Sequence, residues 1–227
     1  MVCHLSRSVA KKGRYLQSVR NGIDVNKSRF ESFSDGVFAF AITLLALGFV
    51  LPETRLAANR ELAHALLHLW PNLIAYILSF SVIGIMWQNH HALFRFVRSV
   101  DRRTVFWNLL LLASTVLIPF ATTTLGSYPT FAAAAFLYGL VLSACATFYN
   151  LMLLHLVRSG SFEPEVNQAT IDETVRGYRM GWLIYVGATL LALVLPLVSF
   201  ALYLVVVIYF LVPRGADADV SLTARRW

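Results

Sequence analysis

The sequence predicts an all-α membrane protein with six transmembrane helices per subunit, and three observations predict it. Of its residues 58% are hydrophobic and only 14% are charged, with a mean hydropathy of +0.65, whereas a soluble domain carries about a quarter charged residues. The apolar residues form runs long enough to cross a bilayer core about 30 Å thick, which takes roughly 20 residues of helix. The charges gather between those runs and toward the two ends of the chain.

The first run is Phe33 to Leu51, the second Leu62 to Gln88, the third Val105 to Leu125 and the fourth Tyr128 to Val157. Met180 to Val212 is one apolar stretch of 33 residues, which as a single helix would be about 50 Å long and too long for one span. Pro196 and Ser199 offer a turn inside it. A fifth span that starts near Glu173, with Arg176 and Arg179 at its wet end, leaves room for a sixth. The chain then divides into a basic tail (1–28), a six-helix transmembrane domain (29–213) and a short polar tail (214–227) that is expected to be disordered.

The net charge of +7 admits a nucleic-acid partner, but its distribution points to a membrane surface. Lys and Arg number 7 before the first span, then 2, 4, 0, 3 and 0 in the successive connections, and 3 after the sixth span. Under the positive-inside rule the segments with 7, 4, 3 and 3 belong in the cytoplasm, so seventeen of the nineteen agree with one topology. The expected location is the cell membrane with both termini cytoplasmic. The N-terminal tail lacks the apolar stretch and cleavage site of a signal peptide and reads as a basic arm lying against anionic lipid. Cys3 and Cys145 fall in a tail and in mid-span, which defines no disulfide framework. Neither tail is long enough for a soluble catalytic domain, so no enzyme is expected.

Alternating spans bring particular polar residues to one depth. The first span starts inside with Ser34 and Asp35. The second ends at that level with Trp87, Gln88, Asn89, His90 and His91, and the third starts there with Thr104, Trp107 and Asn108. An unpaired carboxylate in lipid costs about 3 kcal/mol or more, so these groups are expected to face one another in a hydrogen-bonded knot. The knot could be a lock between three helices. Metal ligation competes poorly with that reading, because adjacent His90 and His91 point about 100° apart on a helix. His64 and His68, after Glu61, have the i, i+4 spacing that can hold a metal, yet beside Trp70 and Pro71 they read as a wettable helix start. His155 reads as interfacial. No phosphate loop, cysteine cluster or Ser/His/Asp grouping stands out, and no metal or cofactor is expected.

On a helical wheel Gly36, Phe40, Thr43, Leu47 and Val50 share one stripe of the first span. Asp35 lies about 140° around the axis from Phe40, so this helix uses two faces. Taken by the wheel alone, the favoured account packs the stripe on another helix of the same subunit, with the Thr43 hydroxyl bonded to the carbonyl four residues back. The competing account makes the stripe a symmetric contact around an axis, where apolar side chains gate by dewetting.

The segment Arg29, Phe33, Ser34, Asp35 reads R-x-x-x-F-S-D and is followed by GVFAFAITLLAL, by MWQNHHALF (Met86 to Phe94) and by WNLLLLASTVLIPFATTTLG (Trp107 to Gly126). It resembles the signature of the transmembrane protein 175 family, the lysosomal potassium channels and their bacterial relatives. The resemblance covers the first three spans; the last three match only in hydrophobic character. It implies a passive cation channel that prefers potassium over sodium without a TVGYG filter, built as a homotetramer of six-helix subunits whose first helix lines the pore. By position Phe40 corresponds to an apolar constriction usually made by Ile or Leu, Thr43 to a pore-facing hydroxyl, and Leu44 and Leu47 to further apolar layers. Phe40 departs from the pattern, and a bulkier ring would close the pore more tightly or shift the gate by a turn. Gly48 and Phe49 stand where a polar residue is common, which leaves Glu53 as the first carboxylate of the outer mouth. Ser34 and Asp35, held by Trp87, Asn89, His90, His91, Trp107 and Asn108, are expected to fix the tilt of the first helix, with Arg29 at headgroup level. The implied partners are lipid, potassium ions and further copies of the chain, with no nucleic acid. The competing function is a proton leak or proton-coupled transporter using Asp35 with His90 and His91. A membrane enzyme or haem carrier lacks the ligand geometry.

Overall fold

The structure, a computed structural model, describes residues 26–51 and 58–211. Glu53, the C-terminal tail and all of the N-terminal tail before residue 26 lie outside the described residues. The described residues form eight α-helices in order: α1 Lys27–Leu44, α2 Asn59–His68, α3 Trp70–Arg95, α4 Arg102–Val116, α5 Ile118–Ser127, α6 Ala132–Ser159, α7 Gln168–Leu191 and α8 Pro196–Leu211. A single 3₁₀ turn, Leu45–Gly48, continues α1.

Local chemistry sets these boundaries. Asn26 caps α1 by accepting a hydrogen bond from the Arg29 amide at 3.3 Å, so the first helix begins ahead of Phe33 and its regular part stops at Leu44, short of the expected Leu51. The second expected span is divided at Leu69, with Pro71 near the start of α3. Proline has no amide to continue the ladder from α2 and its ring crowds the preceding turn. The span therefore runs from Trp70 to Arg95 instead of from Leu62 to Gln88. Pro119 divides the third span in the same way, at Leu117. The long apolar stretch is split as well: α7 ends at Leu191, Ala192 to Leu195 turn the chain, and Pro196 opens α8. Helix α7 starts at Gln168, earlier than expected, because Asn167 caps it through the Ala169 amide at 3.0 Å.

Among the described residues four segments are long and apolar enough to cross a membrane: Lys27–Gly48, Trp70–Arg95, Arg102–Ser127 and Ala132–Ser159. Helix α8 is apolar but shorter. The first half of α7 carries Asp172, Glu173, Arg176 and Arg179, with both arginines at the end expected to be wet, and its second half, from Met180 to Leu191, is apolar.

Helix α6 sits at the centre, packed on α4, α5, α7 and α8. Its small residues allow close approach: a Cβ at Gly139 would run into the Tyr203 hydroxyl of α8 and the Thr189 hydroxyl of α7. Hydroxyl pairs bind the helices together, as lipid provides no water for them. Ser79 of α3 meets Tyr138 of α6 at 3.0 Å and accepts from Thr122 of α5 at 2.7 Å, Ser143 of α6 meets Thr189 of α7 at 2.9 Å, and Ser199 of α8 donates to the Ala188 carbonyl at 2.7 Å. Helix α1 is peripheral, with neighbours α3, α4 and α5.

Candidate functional site

Helix α1 divides into two opposed stripes. Phe30, Ser34, Phe38, Ala41 and Leu45 are buried against the bundle. Gly36, Phe40, Thr43 and Leu47 are each offset by two residues from a member of that set, about 200° around the axis, and Val50 follows them beyond the helix end. All of these except Gly36 carry side chains, and none of the five is buried: Phe40 is 58% exposed and Leu47 73%. Among the described residues the neighbours of α1 lie on the other face, which speaks against the account that packs this stripe on a helix of the same subunit. Leu44 lies half-buried at the edge of the stripe.

The Thr43 hydroxyl donates to the Phe40 carbonyl at 2.7 Å. The acceptor is three residues back, not four; a helical threonine hydroxyl reaches either carbonyl according to its rotamer. Its proton is thus spent on the backbone, and the oxygen lone pairs are left to whatever lies beyond the exposed face.

On the buried stripe a directional chain of hydrogen bonds links three helices. His90 Nε2 of α3 meets Asn108 Oδ1 of α4 at 2.9 Å, Asn108 Nδ2 donates to Ser34 Oγ of α1 at 2.9 Å, and Ser34 Oγ donates to the Phe30 carbonyl at 3.0 Å. Since the Asn108 oxygen can only accept, His90 must carry its proton on Nε2. His90, Asn108 and Ser34 are at most 1% exposed, so each needs its partner. A second link runs beside the chain: Trp87 Nε1 donates to Asp35 Oδ1 at 2.9 Å.

The remaining residues read from the sequence do not join these bonds. Asn89 receives the Tyr149 hydroxyl on its carbonyl at 3.0 Å. His91 is exposed, its ring 6.2 Å from that of Trp87. Trp107 stands edge-on to Phe106 at 5.2 Å. Arg29 and Phe33 are exposed on α1. His64 and His68 have ring centroids 4.5 Å apart on α2.

Sequence reasoning missed the aromatic walls around His90. Phe94, Phe38 and Phe30 have ring centroids 4.6, 5.5 and 6.0 Å from it. It also missed the role of Asp101, which caps α4 by accepting from the Thr104 amide at 2.8 Å and hydroxyl at 2.7 Å, and pairs with His155 of α6 at 2.9 Å. Burial pushes the Asp101 carboxyl up, but the Thr104 amide, the Thr104 hydroxyl and His155 together hold it below its ordinary range. An Asp before R-R-T is a legible N-cap signal; a His 54 positions away is not.

Polar bonds tie one face of α1 into an all-helical bundle of membrane-span candidates, with an apolar and hydroxyl stripe open on the other face: these are the features of a helical membrane protein. The sequence profile described as the endosomal/lysosomal potassium channel TMEM175 matches residues 29–119. A potassium channel of Streptomyces collinus is 38% identical over 80% of this chain and 90% of its own length. A crystal structure described as a lysosomal potassium-selective channel TMEM175 homolog from Chamaesiphon minutus superposes with a TM-score of 0.71 at 34% identity, over 82% of this chain and 96% of that one. The human endosomal/lysosomal proton channel TMEM175 is 37% identical over 43% of this chain and 20% of its own length. The chain belongs to the transmembrane protein 175 family, a family of ion channels and not of enzymes.

Proposed function

We propose that this protein is a potassium-selective cation channel, modestly selective over sodium, in which α1 of four copies lines a central pore. The subunit crosses the cell membrane six times with both termini cytoplasmic. The observation that carries the reading is the exposed stripe Phe40, Thr43, Leu47, opposite a face that is locked into the bundle. An apolar stripe of this kind is at home against lipid, but the hydroxyl in its middle and the potassium-channel relatives support an ion path. Conduction is passive. Four Thr43 oxygens, their protons already given to Phe40 carbonyls, offer a ring of acceptors to a partly dehydrated ion. Phe40 and Leu47, a turn to either side, with Leu44 on the flank, set an apolar barrier that opens and closes by wetting. Ser34 and Asp35 hold the tilt of α1 and touch no ion.

The name of the human relative favours a second reading, proton permeation. Among the described residues the hydrogen bonds of His90 and Asp35 run to Asn108 and Trp87, which ties both side chains into the contacts between helices. Reconstituted flux decides between the two. A reversal potential that follows the potassium gradient and ignores pH supports the channel, and one that follows pH supports protons. Thr43→Ala and Phe40→Ala are expected to change potassium flux severalfold; unchanged flux in both means that the assigned pore face is wrong.

A further inference from the structure

The end of the bundle that carries the arginines holds a groove of about 700 Å³ between α4 and α6. Arg102, Arg103 and Arg158 line it together with Phe106, Leu151 and Leu154. The order along the helices is graded. Arg102 and Arg103 open α4 and Arg158 stands in the last turn of α6, while Phe106 and Leu154 lie about 6 Å further into the bundle and Leu151 about 10 Å. All three arginines are exposed, and among the described residues none has an ion-pair partner. The nearest carboxylate in sequence, Asp101, is committed to Thr104 and His155.

We propose that this groove is a binding site for an anionic phospholipid. The guanidinium groups would clasp the headgroup phosphate, for which their planar forks are suited, and the acyl chain would run over Phe106, Leu154 and Leu151. A soluble anion would use the cationic mouth and leave the apolar floor open to no purpose. A zwitterionic lipid would bring its own cation against three arginines. Basic pockets between spanning helices on the cytoplasmic side favour anionic headgroups on general electrostatic grounds, and this end is the one read as cytoplasmic. The site stands apart from the exposed stripe of α1.

The test is native mass spectrometry of the purified channel, titrated with dioleoyl phosphatidylglycerol, dioleoyl phosphatidylcholine or inorganic phosphate. The wild type is expected to take up phosphatidylglycerol at roughly tenfold lower concentration than phosphatidylcholine. Arg102→Gln/Arg103→Gln/Arg158→Gln is expected to lose that preference, while Arg176→Gln/Arg179→Gln, which removes charge from α7, keeps it. Should the triple variant fail to fold, Arg158→Gln alone and the wild-type preference decide. Equal uptake of the two lipids by the wild type overturns the proposal, as does a preference that survives in the variants. Displacement of phosphatidylglycerol by matched inorganic phosphate would make this a free-anion site and overturns the lipid assignment.

Discussion

Asn108 makes two bonds with one amide, and each of its neighbours is buried. Asn108→Ala removes the acceptor of His90 and the donor to Ser34 together, and a buried group left without a partner costs about 1–3 kcal/mol. The expected result is a clear fall in the melting temperature of the solubilised protein, with Ser34→Ala milder because it leaves the His90 bond in place. Asp101 gives a pH signature. Its folded pKa is depressed, so its contribution is complete above the ordinary carboxylate value of about 4 and is lost as pH falls through the lower folded value. Asp101→Asn should therefore lie below the wild type in stability at neutral pH, and thermal unfolding across an acid series should show the gap close only below that range. The meeting of Ser34, Asp35, Trp87, His90 and Asn108 was legible, because polar groups at one depth in lipid have few other partners. Who bonds to whom was not. The Phe30, Phe38 and Phe94 walls were hidden because phenylalanine is common throughout this chain and carries no depth signal.

Among the elements, apolar runs located the helices well and their ends poorly. A hydropathy run stops where charge begins, whereas a helix stops where its hydrogen bonds fail. Thus Asn26 and Asn167 start α1 and α7 earlier than the apolar runs do, and Pro71 and Pro119 cut helices in the middle of such runs. The close approach of α6 to α7 and α8 was invisible, since nothing local to Gly139 says which helices face it. Gly139→Ala should destabilise the bundle because its new methyl meets the Tyr203 and Thr189 hydroxyls. Tyr203→Phe in the same chain removes one of the two obstructions and should restore part of the loss. Detergent thermostability of the two single variants and the double variant measures this coupling, and strict additivity would show that the contact is relieved some other way.

At the scale of the whole molecule, the sequence pointed to a membrane bundle, and the four spanning segments and the family membership agree with it. The wheel could identify the stripe on α1 but could not choose its neighbour, because an apolar stripe looks the same whether it meets a helix, a lipid or an axis. Among the described residues no helix of the same subunit covers the stripe. The central claim of the proposed function is that α1 meets its own copies. The most direct measurement is an electron cryomicroscopy reconstruction of the assembled protein in lipid nanodiscs. The account predicts fourfold symmetry with Phe40, Thr43 and Leu47 of each copy turned to the axis; a map that puts this stripe against lipid, or another helix around the axis, would contradict it.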